Sequence, residues 1–200
     1  MAYKNFKFDV DADGIALVTW DIPGRSMNVF DEVSTQEIGE IIKQTTSDPA
    51  IKGVVITSAK EAFCAGADLS MLEGMNRAYA QLFKEKGEEA ANQMLFEQSR
   101  QMSLSFRAIE TSGKPWVAAI NGLALGGGFE ITLACHYRVA AENPKTRLGL
   151  PEMKVGLFPG AGGTQRVPRL VQPADAMQLL LKGDRKSTRL NSSHPSISYA

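Results

Sequence analysis

Hydrophobic and polar residues alternate over two short segments near the start of the chain, FKFDV and IALVTW. A period of two, with many β-branched and aromatic residues, is typical of half-buried β-strands. Between the two segments, Asp13 and Gly14 are a strong signal for a tight turn, because both residue types tolerate the backbone conformations that such turns require. The pattern therefore predicts that the chain opens with a β-hairpin.

The pattern changes to a helical period after Asp31, a residue suited to cap a helix N-terminus. The buried stripe predicted for this helix consists of Ile38, Ile41, Ile42 and Thr45. We expect the helix to end before Asp48 and Pro49. The segment that follows, IKGVVITS, predicts a buried strand.

A long, highly charged segment at residues 71–109 has a mainly helical pattern, with a break expected at Gly87. Its charged half is interpreted as a solvated face. The apolar face predicted for its second half consists of Leu95, Ser99, Met102 and Phe106.

The rest of the chain alternates strands, loops and a helix. PWVAAI predicts a strand, NGLALGGG a turn into the helix FEITLAC, and YRVAA and RLGL two further short strands around the loop ENPKT. Strand, loop and helix in repetition are typical of a parallel sheet with crossovers, which predicts the α/β class. Ligands of such sheets bind beyond the carboxyl ends of the strands. Since CAGAD and LALGGGFE both follow strands, we expect them to share one site.

Composition narrows the class of protein. The 200 residues are 44% hydrophobic, with 22 basic and 22 acidic side chains, which favours one globular domain and gives no sign of nucleic-acid binding. Cys64 and Cys135 lack CxxC spacing, so we expect two buried thiols, no disulfide framework and no metal site.

The N-terminal segment does not resemble a secretory signal. The most apolar window, residues 116–135, is interrupted by Asn121 and Glu130. No transmembrane segment is predicted, and a bacterial cytoplasm is expected rather than a mitochondrial matrix.

The last 17 residues, DRKSTRLNSSHPSISYA, lack any hydrophobic period. They resemble translated sequencing-adapter read-through. We therefore divide the chain into a domain at 1–183 that is incomplete at its C-terminus and a non-native tail at 184–200.

Three consecutive glycines, residues 126–128, lie in an otherwise apolar stretch. Each glycine inside a helix or strand costs roughly 0.5 to 1 kcal/mol relative to alanine, so the run needs a compensating reason. A helix that begins there exposes unpaired N–H groups and the positive end of its dipole. With a second N–H donor from CAGAD, it would form an oxyanion hole for a carbonyl oxygen that becomes negative.

Two carboxylates accompany these loops. Glu130 falls in the first turn of the predicted helix, and Glu152 follows RLGLP; together they could hold a water, one as base and the other as acid. Histidine is scarce, with His136 and, in the tail, His194. Taken singly, the glycine run is more often a packing or turn device, Glu130 a partner of the helix dipole, and Glu152 a surface or helix-start charge. The glycines around Gly163 do not spell GxGxxG, which argues against a nicotinamide site.

Three segments in this order resemble the crotonase superfamily, and specifically its enoyl-CoA hydratases: AFCAGADL, NGLALGGGFE and RLGLPEMKVGLFPGAGGTQR. The resemblance covers most of residues 6–183 and is strongest to the hydratase/isomerase region of the multifunctional α subunits of fatty-acid β-oxidation. It implies a crotonase-like (ClpP/crotonase) spiral fold of repeated ββα units. The helices that close the family's domain beyond Leu181 are absent or replaced by the tail, so the fold is expected to be truncated at the C-terminus.

The resemblance also implies roles for particular residues. The backbone N–H groups of Ala67 and Gly127 would form the oxyanion hole, and Glu130 and Glu152 would be the catalytic carboxylates. The residues expected to shape the cleft for the coenzyme A thioester are Ala65, Gly66, Asp68, Leu69, Ser70 and Gly126. No metal and no cofactor are expected in this region; NAD would bind only to the absent dehydrogenase portion. A thiolase subunit and a homo-oligomer are the partners expected of the intact protein.

Three functions follow as hypotheses. The first is an enoyl-CoA hydratase of fatty-acid β-oxidation with some Δ3,Δ2-enoyl isomerase capacity; the presence of both glutamates favours hydration, because members that only isomerise or hydrolyse often lack one. The second is another crotonase-type enzyme, an isomerase or a thioester hydrolase. The third is a non-catalytic acyl-CoA-binding module within a larger complex.

Overall fold

The computed structural model describes residues 2–183, 185–187 and 198–199. The strands are β1 (Phe6–Val10), β2 (Ile15–Trp20), β3 (Gly53–Ser58), β4 (Trp116–Ile120), β5 (Ala124–Leu125), β6 (Tyr137–Ala140), β7 (Arg147–Gly149), β8 (Arg185–Ser187) and β9 (Ser198–Tyr199). The helices are α1 (Glu32–Ser47), α2 (Leu69–Lys86), α3 (Glu88–Glu110), α4 (Gly127–Ala134), α5 (Gly163–Leu170) and α6 (Pro173–Leu181), with a short 3-10 helix at Pro151–Val155. Strands and helices alternate along the chain, so the α/β class is confirmed.

The main sheet begins with the predicted hairpin. β1 and β2 pair antiparallel, and in their turn Gly14, with a φ of 83°, donates its N–H to the carbonyl oxygen of Asp11 at 3.1 Å. The pairs β2 with β3, β3 with β4 and β4 with β6 are all parallel. Within the described residues, this sheet has six strands in the order β1-β2-β3-β4-β6-β9. The predicted parallel sheet with crossovers is therefore confirmed.

A second, smaller sheet carries segments that follow the main strands. In the described part of the chain it consists of three strands, in the order β5-β7-β8. Isolated parallel bridges join Cys64 to Ala124 and Phe30 to Ala67, and so continue the pairing into the loops after β3 and β2. Successive repeats of the chain thus contribute one strand to the main sheet and one short extended segment beside it. This arrangement is the spiral of ββα units that the family resemblance implies.

Helix α1 forms as its sequence predicts. The side chain of Asp31 accepts a hydrogen bond from the backbone N–H of Ser34 at 2.7 Å, which caps the helix, and Asp48 lies at its other end. The buried residues of α1 are Ser34, Ile38, Ile41, Ile42 and Thr45, which include the whole predicted stripe. They pack into a core that also holds a chain of rings, with centroids 4.7 Å apart for Trp20 and Phe30 and 5.8 Å apart for Phe30 and Phe106.

Helices α2 and α3 form a hairpin that breaks at Gly87, as predicted. The predicted apolar face of α3 is right only near its C-terminus, where Phe106 is fully buried and Met102 packs against the core. Leu95 is 37% exposed and Ser99 is exposed, so these two assignments are wrong. The reason is that the first half of α3 lies against α2, and α2 itself has no buried residue.

The sequence predicts no transmembrane segment and a non-native tail at 184–200. Among the helices of the described residues, none combines the length and apolar character needed to cross a bilayer. Most of the predicted tail, including His194, lies outside the described residues; of the parts that are described, β8 pairs with β7 and β9 pairs with β6. The division at residue 183 stays a prediction.

Candidate active site

The two glycine-containing loops meet, as expected from their positions after strands. The N–H of Cys64 donates to the carbonyl oxygen of Leu123, and the N–H of Leu125 donates to the carbonyl oxygen of Cys64, each at 3.0 Å. The contact is close at the glycines: a Cβ on Gly66 would lie 3.1 Å from the carbonyl oxygen of Leu125 and 3.7 Å from the Cα of Gly126. The segment CAGAD therefore runs directly beside the turn that starts α4.

At this junction the backbone N–H groups of Ala67 and Gly127 have no acceptor among the described residues, and neither has that of Gly128. Phe30 bonds on both sides of Ala67, through its N–H to Gly66 and through its carbonyl oxygen to the N–H of Asp68, each at 2.9 Å. Because a parallel ladder alternates its bonds, the N–H of Ala67 points away from Phe30. Gly127 is the first residue of α4, so its N–H has no partner within the helix. Both donors are free to bind an oxygen.

The backbone conformation and the close packing of the chain explain why glycines occupy this run. Gly126 has a φ of 53°, which residues with a side chain rarely adopt, and its N–H donates to the carbonyl oxygen of Gly149 at 3.0 Å. A Cβ on Gly128 would lie 2.6 Å from both the Cβ and the carbonyl oxygen of Cys64. No side chain fits at that distance. Because the glycines have no side chain, α4 can begin in direct contact with the CAGAD loop, and this contact is the reason for their conformational cost.

Glu130, in the first turn of α4, is 2% exposed. Its Oε1 accepts a hydrogen bond from the backbone N–H of Gly163, at the start of α5, with a distance of 2.7 Å. Burial raises the pKa of Glu130 to about 7, and the charge of Glu152 contributes in the same direction, while the bond from Gly163 opposes them. The side chain can therefore take up or release a proton near neutral pH.

Glu152 lies in the short 3-10 helix that Pro151 begins. Its Oε1 would be 3.1 Å from a Cβ on Gly126, so the carboxyl group lies directly beside the start of α4. Its Oε2 is buried and has no hydrogen-bond partner within the described part of the chain. Burial raises the pKa of this carboxyl group. A buried carboxyl oxygen without a partner is costly, and a water or substrate atom would satisfy it.

The other residues expected to shape the cleft differ in their exposure and in their hydrogen bonds. Asp68 caps α2, accepts hydrogen bonds from the N–H and the hydroxyl of Ser70, and forms an ion pair with Arg25. The hydrogen bond from Ser70 and the guanidinium of Arg25 lower its pKa to about 2. Leu69 is 73% exposed, whereas Ala65 donates its N–H to the carbonyl oxygen of Asn28 at 2.9 Å. The polar groups of Asp68 and Ser70 are thus engaged within the protein, while Leu69 is open to a ligand.

Three residues that support this site were not predicted from the sequence. Asn28 is fully buried and connects three segments, Gly163 binds Glu130, and Arg166 holds the loop before Gly163. The last two lie in GLFPGAGGTQR, a segment whose only sequence signal is the family resemblance. Every residue type except proline has a backbone N–H, so the hydrogen bond that Gly163 donates could not be predicted from its residue type and is seen only in the fold.

The two cysteines lie in the protein interior. Cys64 and Cys135 are buried free thiols, as predicted, and burial raises the pKa of each to about 12. Neither is therefore a nucleophile at neutral pH. Across the described residues, no group of three or more histidine, cysteine, aspartate or glutamate side chains is arranged to hold a metal ion.

The fold is that of the crotonase class. The chain superposes on the crystal structure of an enoyl-CoA hydratase from Bacillus anthracis with a TM-score of 0.81 and 31% sequence identity, covering 98% of this chain and 69% of that one. A sequence model of the enoyl-CoA hydratase/isomerase family matches residues 11–189. The chain belongs to this family, which confirms the resemblance seen in the sequence.

Curated relatives place this region within longer proteins. The fatty acid oxidation complex subunit alpha of Idiomarina loihiensis is 42% identical over 182 residues, and that of Shewanella frigidimarina is 44% identical over 181 residues. Each match covers 90% of this chain and 24% of the relative. The chain therefore spans about a quarter of the length of these relatives.

Proposed function

We propose that this chain catalyses the addition of water to a trans-2-enoyl-CoA thioester to give a 3-hydroxyacyl-CoA. One observation carries the proposal: the unpartnered, buried Oε2 of Glu152 accompanies a second buried carboxyl group, Glu130, whose pKa is raised to about 7. Two carboxyl groups with raised pKa values beside free N–H donors suit acid and base assistance around a polarised carbonyl.

The reaction can be written with these groups alone. One glutamate, ionised, accepts a proton from water as the water oxygen bonds to the β carbon of the enoyl group. The π electrons of the double bond move towards the thioester, and its oxygen becomes negative. The N–H groups of Ala67 and Gly127 would stabilise that charge. The other glutamate, protonated, delivers its proton to the α carbon, so that H and OH have been added across the double bond.

The setting of this reaction is also a proposal. The substrate would be a coenzyme A thioester, and no cofactor is required for the step above. The name of the relatives, subunit alpha of a fatty acid oxidation complex, supports a place in fatty-acid oxidation within a larger protein. We infer a bacterial cytoplasm, a thiolase partner, a homo-oligomer and, in a dehydrogenase portion beyond this chain, an NAD site.

The test is the loss of conjugated-thioester ultraviolet absorbance with crotonyl-CoA and with a longer enoyl-CoA. We expect Glu130→Gln and Glu152→Gln each to lower the hydration rate by about 100- to 10,000-fold while acyl-CoA binding is retained. Glu142→Gln is the matched control, because Glu142 is exposed. Binding without turnover in the unaltered chain would favour a non-catalytic module, and conversion of a β,γ-enoyl or saturated thioester alone would favour an isomerase or a hydrolase.

A further inference from the structure

Arg166 of α5 and Glu110 at the end of α3 form a two-point ion pair. Nε of Arg166 lies 2.8 Å from Oε1 of Glu110, and Nη2 lies 3.1 Å from Oε2. The side chain of Arg166 is 11% exposed and that of Glu110 is 27% exposed. Paired, bidentate and partly buried, this contact fixes the orientation of the guanidinium more strictly than a surface ion pair does.

The third nitrogen of the same guanidinium reaches back to the loop before α5. Nη1 donates to the carbonyl oxygen of Ala161 at 2.8 Å. Nη1 also occupies the space that a Cβ on Gly162 would need, so the guanidinium is packed onto the loop backbone. Gly162 has a φ of 104°, a conformation that turns the chain sharply into α5. Arg166 thus ties residues 161 and 162 to α3.

The next residue in the chain, Gly163, makes the contact that matters for the site. Its N–H donates to Oε1 of Glu130, and a Cβ at Gly163 would lie 3.0 Å from that oxygen. The position of this N–H is set by the two residues that Arg166 holds. Gly163 and Arg166 both favour the ionised form of Glu130, against burial and the charge of Glu152.

We propose that Arg166 and Glu110 are positioning residues for Glu130, which they orient through residues 161–163 without touching the substrate. The inference rests on the proposed function for its kinetic consequence. A displaced loop would move the Glu130 carboxyl group relative to the reacting carbon, and misplacement by about 1 Å can cost 100-fold in rate. Loss of the loop contacts would also raise the pKa of Glu130 further.

The first test uses Arg166→Gln and Arg166→Lys in hydration assays. We expect kcat to fall by at least about tenfold in both, with KM for the enoyl-CoA changed less than about threefold. The lysine variant keeps the charge but loses the fork, so its failure to rescue would assign the effect to geometry. Glu110→Gln, which keeps an acceptor, should show the same direction with a smaller loss.

Arg107→Gln is the matched control. Arg107 also contacts Oε2 of Glu110, at 3.1 Å, but its side chain is 66% exposed, and among the described residues no hydrogen bond or ion pair joins it to residues 161–163. We expect its kcat to match the unaltered chain. If Arg107→Gln and Arg166→Gln lowered kcat equally, or if Arg166→Gln lowered only thermal stability, the positioning role would be overturned.

A pH readout separates this inference from the function itself. The charged groups facing Glu130 are Glu152 and Arg166. In a plot of kcat against pH, the inflection that reports the ionisation of Glu130 should move to higher pH in Arg166→Gln and stay in place in Arg107→Gln. If the unaltered chain hydrates nothing, the proposed function fails, yet the titration of Glu130 can still be followed through the pH dependence of unfolding. An unchanged titration midpoint in Arg166→Gln would then overturn the positioning role.

Discussion

Glu130 and Gly163 are 33 residues apart in the chain, yet the carboxylate of one accepts the backbone N–H of the other at 2.7 Å inside the protein. The bond compensates only part of the cost of burying a charge, because the pKa of Glu130 still rises from 4.5 to about 7. The folded state therefore binds this proton more tightly than the unfolded state does. Stability should fall as the pH rises from about 4.5 to about 7, by up to about 3 kcal/mol.

Glu130→Gln should remove this part of the pH dependence, because glutamine keeps an oxygen for Gly163 and cannot ionise. We expect the variant to gain stability relative to the unaltered chain as the pH rises through this window, with the difference levelling off above about pH 8. Urea denaturation at a series of pH values measures it, and Glu142→Gln is the exposed control. Parallel stability curves for the unaltered chain and Glu130→Gln would refute the raised pKa.

Adjacent glycines in the run should respond differently to alanine. A Cβ on Gly128 would lie 2.6 Å from both the Cβ and the backbone oxygen of Cys64, whereas a Cβ on Gly127 would lie 3.3 Å from a ring carbon of Phe30. Backbone cannot yield as a side chain can. We expect Gly128→Ala to lower the free energy of unfolding by at least about 2 kcal/mol and Gly127→Ala by less than about 1 kcal/mol.

Chemical denaturation of the two glycine variants gives these free energies directly. Replacing Cys64 by alanine in the Gly128→Ala background should not restore stability, because the clash with the Cys64 backbone oxygen remains. Equal losses for Gly127→Ala and Gly128→Ala would mean that the run is not shaped by this contact.

Asn28 connects the loops that follow β2 and β3. Its Nδ2 donates to the carbonyl oxygens of Trp20 and Phe63, at 3.0 and 3.3 Å, and its Oδ1 accepts the N–H of Ile22 at 3.1 Å. Asn28→Asp would direct a buried carboxylate oxygen at two carbonyl oxygens. We expect a loss of at least about 3 kcal/mol in the free energy of unfolding.

The control for this prediction is Asn143→Asp. Asn143 accepts the N–H of Lys145 through its Oδ1 at 2.8 Å in an exposed loop, and aspartate keeps that acceptor. We expect a change within about 0.5 kcal/mol. A loss of that small size for Asn28→Asp as well would show that the buried network contributes little.

Local patterns were sufficient to predict most elements. The alternation of hydrophobic residues predicted the opening hairpin, and the helical period predicted α1. Asp31 predicted where that helix begins, and Gly87 predicted the break between α2 and α3. Each depends on residues close together in the chain. The meeting of CAGAD with the glycine run was also predicted, since the carboxyl ends of parallel strands share one edge.

Long-range contacts were not predictable in this way. Leu95 was assigned to the apolar face because it lies at a helical spacing from Phe106. That part of α3 packs against α2, however, and the hydrophobic pattern of α3 alone does not reveal this neighbour. The bond from Gly163 to Glu130 and the pairing of Arg166 with Glu110 join residues 33 and 56 positions apart. Such contacts follow from the spiral of the fold, and no spacing along the chain encodes them.

Helix α2 should be the least protected long helix in the described part of the chain. It has no buried residue, whereas α1 buries five along one stripe, and segments with few buried contacts open at low free-energy cost. We expect amide hydrogens within α2 to exchange at least about tenfold faster than those of α1, measured by hydrogen–deuterium exchange with mass spectrometry or NMR. The C-terminal half of α3, anchored by Phe106 and Ile109, serves as the internal reference and should exchange as slowly as α1. Equal protection of α2 and α1 would contradict the prediction and would mean that α2 is shielded from solvent. A second exchange experiment with a saturating acyl-CoA thioester would show whether a ligand increases the protection of α2.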